Sequence, residues 1–242
     1  MVIKTDTHEF SELGHPMTFS GNFDLFSRLS YGEYEEPGIV PSFIHAKRGE
    51  YIYFESHYLN KLFFIKEGYI KIGYIDNNGN EITKEVIQKG DVFGQFSLER
   101  CNMNGEFALA YKSDVSLSAF NIDSFKKILQ NITAIAISYS QKVAKRLRKI
   151  ENRLINLLHA DVRTRLMRFL YEMIEFNNEN VSDNTVILDN FLTHDDIARM
   201  IGSTRQTVTS MFNETHIQKN IRITRKNIVI NDVKALVKLA AY

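Results

Sequence analysis

The 242-residue chain reads as an α+β protein: an N-terminal β jelly-roll, a long helix, and a C-terminal winged helix-turn-helix domain. Three observations predict this order. Between residues 42 and 120, short apolar or alternating runs follow one another with glycine-containing turns between them. From Asp123 to about Leu158 no Gly or Pro occurs, and apolar residues recur every three or four positions. Near the end stands "LTHDDIARMIGSTRQTVTSMF" (Leu192–Phe212), two capped helical patterns separated by one glycine.

Residues 1–21 are polar, contain Gly14 and Pro16, and read as an extension; a short helix is expected over Asn22–Arg28. The barrel domain is placed at 22–122. Its strands are read at Ser42–Ala46, Tyr51–Phe54, Leu62–Ile65, Tyr69–Ile75, Ile82–Ile87, Glu106–Tyr111 and Val115–Phe120. Turns are read at Arg48-Gly49-Glu50, Glu67-Gly68, Asn77-Asn78-Gly79 and Lys89-Gly90-Asp91. Strands so short and so closely spaced build a sandwich or jelly-roll barrel.

Residues 123–158 read as one helix of about 35 residues, spanning roughly 50 Å at 1.5 Å per residue. A barrel of this size cannot cover that length. Ala136, Tyr139, Val143, Leu147, Ile150 and Leu154 form an apolar seam along it, expected to pair two copies of the chain in parallel. Beside the seam lies a basic face of Lys142, Lys145, Arg146, Arg148, Lys149 and Arg153. A second helix starts at Asp161, a suitable N-cap, and a polar loop (Asn177–Thr185) follows it. Residues 159–242 are assigned to the last domain.

The quoted motif explains itself residue by residue. Thr193, with Asp196 three positions on, makes a capping box ahead of Ile197, Ala198 and Ile201. Gly202 can take the left-handed conformation that ends this helix. Ser203, with Gln206 three residues later, is read as the cap of the second helix, which turns Val208, Met211 and Phe212 inward. Its outward residues Arg205, Gln206, Thr209 and Ser210, with Thr193, Ser203 and Thr204 at the helix starts, suit base edges and phosphates in a DNA major groove. "IRIT" and "IVI" around a basic turn then read as a hairpin, the wing, with Arg225 and Lys226 placed for phosphate.

Composition bounds the function. The net charge is +1, but residues 1–122 carry eleven basic and seventeen acidic side chains, whereas residues 192–242 carry eight and four. Any polyanion is therefore expected at the rear of the chain. A single cysteine, Cys101, provides neither a disulfide framework nor a cysteine metal site. No 18-residue apolar run and no signal peptide is found, so a cytoplasmic protein without membrane contact is expected.

In order and in local motif the chain resembles the CRP/FNR family of bacterial transcription regulators, over roughly residues 22–240. The resemblance is carried by "KRGEYIYFE" (Lys47–Glu55), "FFIKEGYIKI" (Phe63–Ile72), "KGDVFGQFSL" (Lys89–Leu98), "DVRTRLMRFL" (Asp161–Leu170) and the Leu192–Phe212 motif. It implies a cyclic-nucleotide-binding-like barrel, a homodimer on a near-palindromic operator in double-stranded DNA, a small-molecule effector, and RNA polymerase as a partner if the protein activates. The cyclic-AMP receptors of the family hold the nucleotide with a Gly-Glu pair and an Arg-Ser pair. Here Gly94-Gln95 and, without gaps, Gly105-Glu106 stand there, while Ile150-Glu151 align with the Thr-Ser pair that contacts adenine. A carboxylate facing a phosphate repels it, so the effector is expected not to be cyclic AMP.

The expected pocket, between barrel and long helix, takes Phe93, Gly94, Gln95, Phe96, Tyr111 and Tyr139; the effector and any cofactor are left unidentified. In the recognition helix, Arg205-Gln206-x-x-x-Ser210 replaces the receptors' Arg-Glu-x-x-x-Arg, and Lys219-Asn220 replace a common Gly-apolar pair before the wing. Two other classes stand beside this reading. One is a constitutive DNA-binding regulator whose barrel only supports dimerisation. The other is a cupin-like metal enzyme, for which only His45 and His57 occur between residues 40 and 120. The expectation is a regulator, not an enzyme, with no metal.

Overall fold

The computed structural model describes residues 41–54, 59–98, 105–177, 184–214 and 219–240. The extension expected at 1–21, the helix expected over Asn22–Arg28, His57 and Cys101 lie outside the described residues.

The barrel comprises β1 (Ser42–Ala46), β2 (Tyr51–Phe54), β3 (Lys61–Ile75), β4 (Glu81–Gln88), β5 (Val92–Gly94) and β6 (Glu106–Asn121), paired antiparallel. Its long strands β3 and β6 pair with each other over most of their length. Each bends and so serves two further partners: β3 takes β5 near its start and β4 near its end, while β6 takes β2 and then β1. Two pairs of expected strands are thus single bent strands. The Glu67-Gly68 signal marks a bulge inside β3 rather than a turn between strands. Gly68 has φ +90°, and a Cβ there would lie 2.5 Å from the Asp114 carbonyl oxygen, so only glycine passes the crossing strand. Strand β5, three residues long, was too short to read as a strand in the sequence.

Alternation along β3 sends Phe63, Ile65, Ile70 and Ile72 into the barrel, where Phe63 stacks on Phe93 with ring centroids 4.9 Å apart. Leu62 and Phe64 face outward and meet α1 (Ile122–Asn131) and the start of α2 (Thr133–His159) through Phe125, Ile128, Ile135 and Tyr139.

The single helix expected over 123–158 is therefore two. Ile132 is extended (φ −124°, ψ 93°) and separates them. Asn131-Ile132-Thr133 places three weak helix formers in succession, and the chain breaks there. The uninterrupted α2 has 27 residues, about 40 Å long at 1.5 Å per residue.

The second half contains α3 (Val162–Asn177), β7 (Val186–Asp189), α4 (His194–Ile201), α5 (Arg205–Asn213), β8 (Ile221–Ile223), β9 (Asn227–Ile230) and α6 (Val233–Ala240). Asp161 caps α3, its Oδ1 accepting from the Thr164 amide at 2.8 Å. Strand β7 pairs with β9, which pairs with β8, so the wing hairpin belongs to a three-stranded antiparallel sheet. Neither β7 nor α6 was expected. "VILD" follows a polar loop and alternates over only four residues; α6 is one short apolar-periodic octet, capped by Asp232, whose Oδ1 accepts from the Ala235 amide at 2.8 Å. Leu166, Leu170, Leu188, Ile197, Val208, Ile228 and Leu236 form the core of this half.

Candidate nucleic-acid interface and its attachment to the barrel

Helix α4 begins with the expected capping box. Thr193 Oγ1 accepts from the Asp196 amide, and Asp196 Oδ2 accepts from the Thr193 amide at 2.9 Å. Gly202 ends the helix at φ 65°, ψ 51°. A Cβ there would also lie 2.5 Å from Leu157 Cδ2 on α2, a side-chain end that would have to move. For α5 the cap is Thr204, not Ser203: its hydroxyl accepts from the Thr207 amide at 3.1 Å, which moves the helix start one residue on. Ser and Thr are both good caps, Ser slightly the better, so consecutive Ser203 and Thr204 pointed locally to the wrong one.

Thr204, Arg205, Gln206 and Ser210 are exposed on α5, while Val208 and Phe212 are buried beneath it. Thr209 is half-buried. Its hydroxyl donates to the Arg205 carbonyl at 2.8 Å and lies 2.9 Å from His194 Nδ1, so it is occupied within the motif rather than offered outward. Ser203 is half-buried, and the exposed Thr193 spends its hydroxyl on the capping box. In the wing turn Arg225 and Lys226 are exposed, and Thr224 closes the turn on Asn227. Lys219 and Asn220 come just before β8, and the Asn220 carbonyl accepts from the Asn231 amide.

The other side of α4 is fastened. Asp196 is 1% exposed, and besides its capping bonds it accepts from Tyr111 of β6 at 2.6 Å and pairs with Lys71 of β3 at 3.1 Å. Burial pushes the carboxyl up, but the bonds from Thr193 and Tyr111 and the Lys71 charge outweigh it and hold Asp196 below the usual carboxylate range. Arg199 donates to the Glu81 carbonyl of β4, and Tyr69 of β3 stacks on Phe191 at 4.7 Å between centroids. Arg153 of α2 donates both to the Met200 carbonyl at 2.7 Å and to the Lys84 carbonyl at 3.1 Å, joining three units. A cleft of about 30 Å³ beside it is lined in part by Arg165 and Phe169.

These contacts correct the expected effector pocket. Tyr111 does not line it; it reaches the helix-turn-helix, because the bend in β6 turns this part of the strand toward the second half of the chain. Phe93 is fully buried in the aromatic stack of the barrel, and Gly94 ends β5 opposite Leu62. Gln95 is 2% exposed, and its Nε2 has no hydrogen-bond partner among the described residues. Phe96 and Tyr139 stack at 6.4 Å, and the Tyr139 hydroxyl donates to the Phe96 carbonyl at 2.6 Å. Burial pushes that hydroxyl up to about 12. Glu106, in the phosphate-clamp position, accepts from Tyr53 at 2.7 Å and from Lys84 at 2.9 Å.

The expected seam changes too. Tyr139 is buried against the barrel and leaves it, and Ala136 is half-buried. Val143, Leu147, Ile150 and Leu154 are exposed, all but Val143 by more than half, together with Ile137 and Leu158. Part of the basic face is engaged by the barrel. Arg146 pairs with Glu85 and lies over the Phe96 ring, and Lys142 donates to the Gly90 carbonyl. The long helix thus docks on the barrel through cations and presents its aliphatic side outward.

A jelly-roll barrel followed by a long helix and a winged helix-turn-helix defines the class of DNA-binding transcription regulators with a cyclic-nucleotide-binding-like domain. A family model for the cyclic nucleotide-binding domain matches residues 43–132, and one for the Crp-like helix-turn-helix domain matches residues 164–239. The chain belongs to the CRP/FNR family of bacterial transcription regulators. It is similar to the global nitrogen regulator of Nostoc sp., with 27% identity over 86% of this chain and 91% of that one. A CRP-like cAMP-activated global transcriptional regulator of Mycobacterium tuberculosis is 25% identical over 84% of this chain and 94% of its own. Among solved structures, a CooA mutant from Carboxydothermus hydrogenoformans shares the fold, with a TM-score of 0.69 at 20% identity, covering 83% of this chain and 88% of that one. Among the described residues no three His, Cys, Asp or Glu side chains converge on a common point, and no helix is long and apolar enough to cross a membrane.

Proposed function

We propose that the protein is a cytoplasmic, homodimeric, sequence-specific DNA-binding regulator, without catalytic activity, whose barrel answers to a small molecule other than cyclic AMP. The observation that carries the DNA reading is the open face of α5, with Arg205, Gln206 and Ser210 exposed beside a basic wing turn at Arg225 and Lys226. Arg205 stands in the first turn, where a guanidinium can bond guanine O6 and N7 together. Thr204 and Ser203 stand at the phosphate end of that helix, where backbone amides already favour an anion.

The dimer reading rests on the exposed Val143, Leu147, Ile150 and Leu154. Side chains of this kind on one helix face are covered in a stable protein, and a second copy about a two-fold axis supplies the same face. The effector reading rests on Gln95: a buried amide donor without a partner costs free energy unless a ligand accepts from it. Glu106 argues against a cyclic phosphate there, because its carboxylate is already held by Tyr53 and Lys84.

Selection of bound sequences from a random DNA pool, with and without cell extract, tests the whole reading. A near-palindromic consensus is expected, tightened or weakened by extract. No enrichment would overturn DNA recognition, and a consensus indifferent to extract would favour a constitutive regulator whose barrel serves dimerisation alone. Millimolar cyclic AMP should leave the melting temperature unchanged, whereas a ligand at 100 times its dissociation constant adds about 2.7 kcal/mol.

A further inference from the structure

We infer that Tyr111 and Lys71 of the barrel are positioning residues for operator binding, acting through Asp196 to hold the helix-turn-helix in one orientation on the barrel. The inference rests on the dimeric DNA-binding reading above. A capping box needs only the Thr193 hydroxyl, the Asp196 carboxylate and two backbone amides, and on most proteins it sits in water at no desolvation cost. Here the carboxylate is 1% exposed. A charge so buried persists only with its hydrogen-bonding capacity filled. Half of the filling comes from another domain: Tyr111 donates to Oδ2 and Lys71 pairs with Oδ1, while Thr193 bonds Oδ2 from within the motif.

The arrangement is directional. Tyr111 and Lys71 lie on the neighbouring strands β6 and β3, and the Lys71 ammonium also sits 4.9 Å from the Tyr111 ring centroid. The Tyr69–Phe191 stack and the Arg199 bond to Glu81 add contacts, but an apolar stack tolerates sliding and a single exposed bond tolerates swinging. A buried carboxylate with donors fixed on a sheet tolerates neither. Rotation of α4 by a few ångströms would strand the charge.

Docking in this way hides none of the reading surface, since Arg205, Gln206 and Ser210 remain exposed. The contact is therefore a mount and not a cover. In a dimer the two recognition helices must meet half-sites about one helical turn apart, and a fixed mount raises the effective concentration of the second helix once the first has bound. Loosening the mount should lower affinity for two half-sites together while leaving a single half-site unaffected.

The experiment compares the wild type with Lys71→Met, Tyr111→Phe and Lys71→Arg, each as the full chain. Titrations use the sequence selected by the wild type and a duplex carrying one half-site of it, and sedimentation and melting are recorded alongside. Lys71→Met is expected to weaken two-half-site binding about tenfold, with half-site affinity unchanged. Tyr111→Phe, which removes one hydroxyl, should shift it in the same direction by less, and Lys71→Arg should restore it. If Lys71→Met does not fold, the Tyr111→Phe comparison decides alone. Folded, dimeric variants with wild-type operator affinity would overturn the inference, as would tighter binding, which would make the contact a brake. Equal losses on both duplexes would reduce it to a structural role. A wild type that enriches no sequence would remove the DNA-binding reading and this inference together.

Discussion

Helices α4 and α5 begin with the same chemistry and end in opposite situations. Each starts at a threonine whose hydroxyl accepts from the amide three residues on. Around α4, donors arrive from every side: Tyr111 and Lys71 on Asp196, Arg153 on the Met200 carbonyl, and Arg165 on the Gly202 carbonyl just past its end. Thr204, at the start of α5, is exposed, and its hydroxyl bonds within the same helix, to Thr207. The difference separates two tasks within one motif. The first helix is fastened to the body, and the second is held by the first with its outer face left open.

The strongest way to break this contrast is Asp196→Ala. It removes the capping box and leaves the Lys71 ammonium, 16% exposed, without its carboxylate. Loss of one partner of a buried pair typically costs about 3 kcal/mol or more, against about 1 kcal/mol for a cap alone. Urea denaturation should therefore show a loss well beyond the cap value. A loss of cap size only would mean that the barrel bonds contribute nothing to the fold. The acid limb sharpens the point. Asp196 has a depressed carboxyl, so its contribution is fully present above the unfolded value of about 3.9 and is lost as pH falls through the lower folded value. The variant should lack that limb.

Much of this was legible in the chain. The capping box, the left-handed Gly202 and the inward Val208 and Phe212 follow from local spacing, which is why they survive in the structure unchanged. What escaped was tertiary. Nothing near Tyr111 in sequence says that its hydroxyl meets a residue 85 positions away, and an aromatic next to the barrel's apolar run reads as pocket lining. Tyr139 was misplaced for a related reason: it falls on the heptad-like seam of α2, but this first part of the helix packs on the barrel side, where Phe96 and Phe125 cover it. The bulge at Gly68 was read as a turn because glycine at positive φ serves both. The basic face of the long helix was visible, though not that Glu85 and barrel carbonyls would take part of it.

A second test sits on the open helix. Arg205→Ala should cost about 1–3 kcal/mol of binding and relax preference at one base pair in each half-site, with thermal stability unchanged. Arg225→Ala in the wing should weaken all sequences alike and reduce the salt slope by about one unit per contact removed. Titration of single-base operator variants at two salt concentrations separates the two. An Arg205→Ala protein that keeps its ranking of sequences, beside an Arg225→Ala protein that scrambles it, would show that α5 is not the reading helix.

The smallest expected effect lies where the two helices touch. His194 Nδ1 is 2.9 Å from Thr209 Oγ1, and the one hydroxyl proton of Thr209 goes to the Arg205 carbonyl. Nδ1 must then be the donor, so the neutral ring carries its proton there and the link joins the first turn of α4 to the reading helix. Burial lowers the His194 pKa and the Arg205 charge lowers it further. The unfolded chain therefore takes up a proton near the ordinary value of about 6.5, while the folded chain resists it until the lower folded value is reached. Stability should fall modestly as pH drops from about 6.5 toward that value and level off below it. This window opens at a higher pH than that of Asp196, so the two groups, both on α4, begin to titrate apart. His194→Asn keeps an amide donor for Thr209 without a titrating ring, and its urea midpoint should vary less between pH 7.5 and 5 than that of the wild type. Parallel pH profiles for the two proteins would mean that His194 is no more strained by protonation than a histidine in water, and that the contact between anchor and reader carries no charge-dependent component.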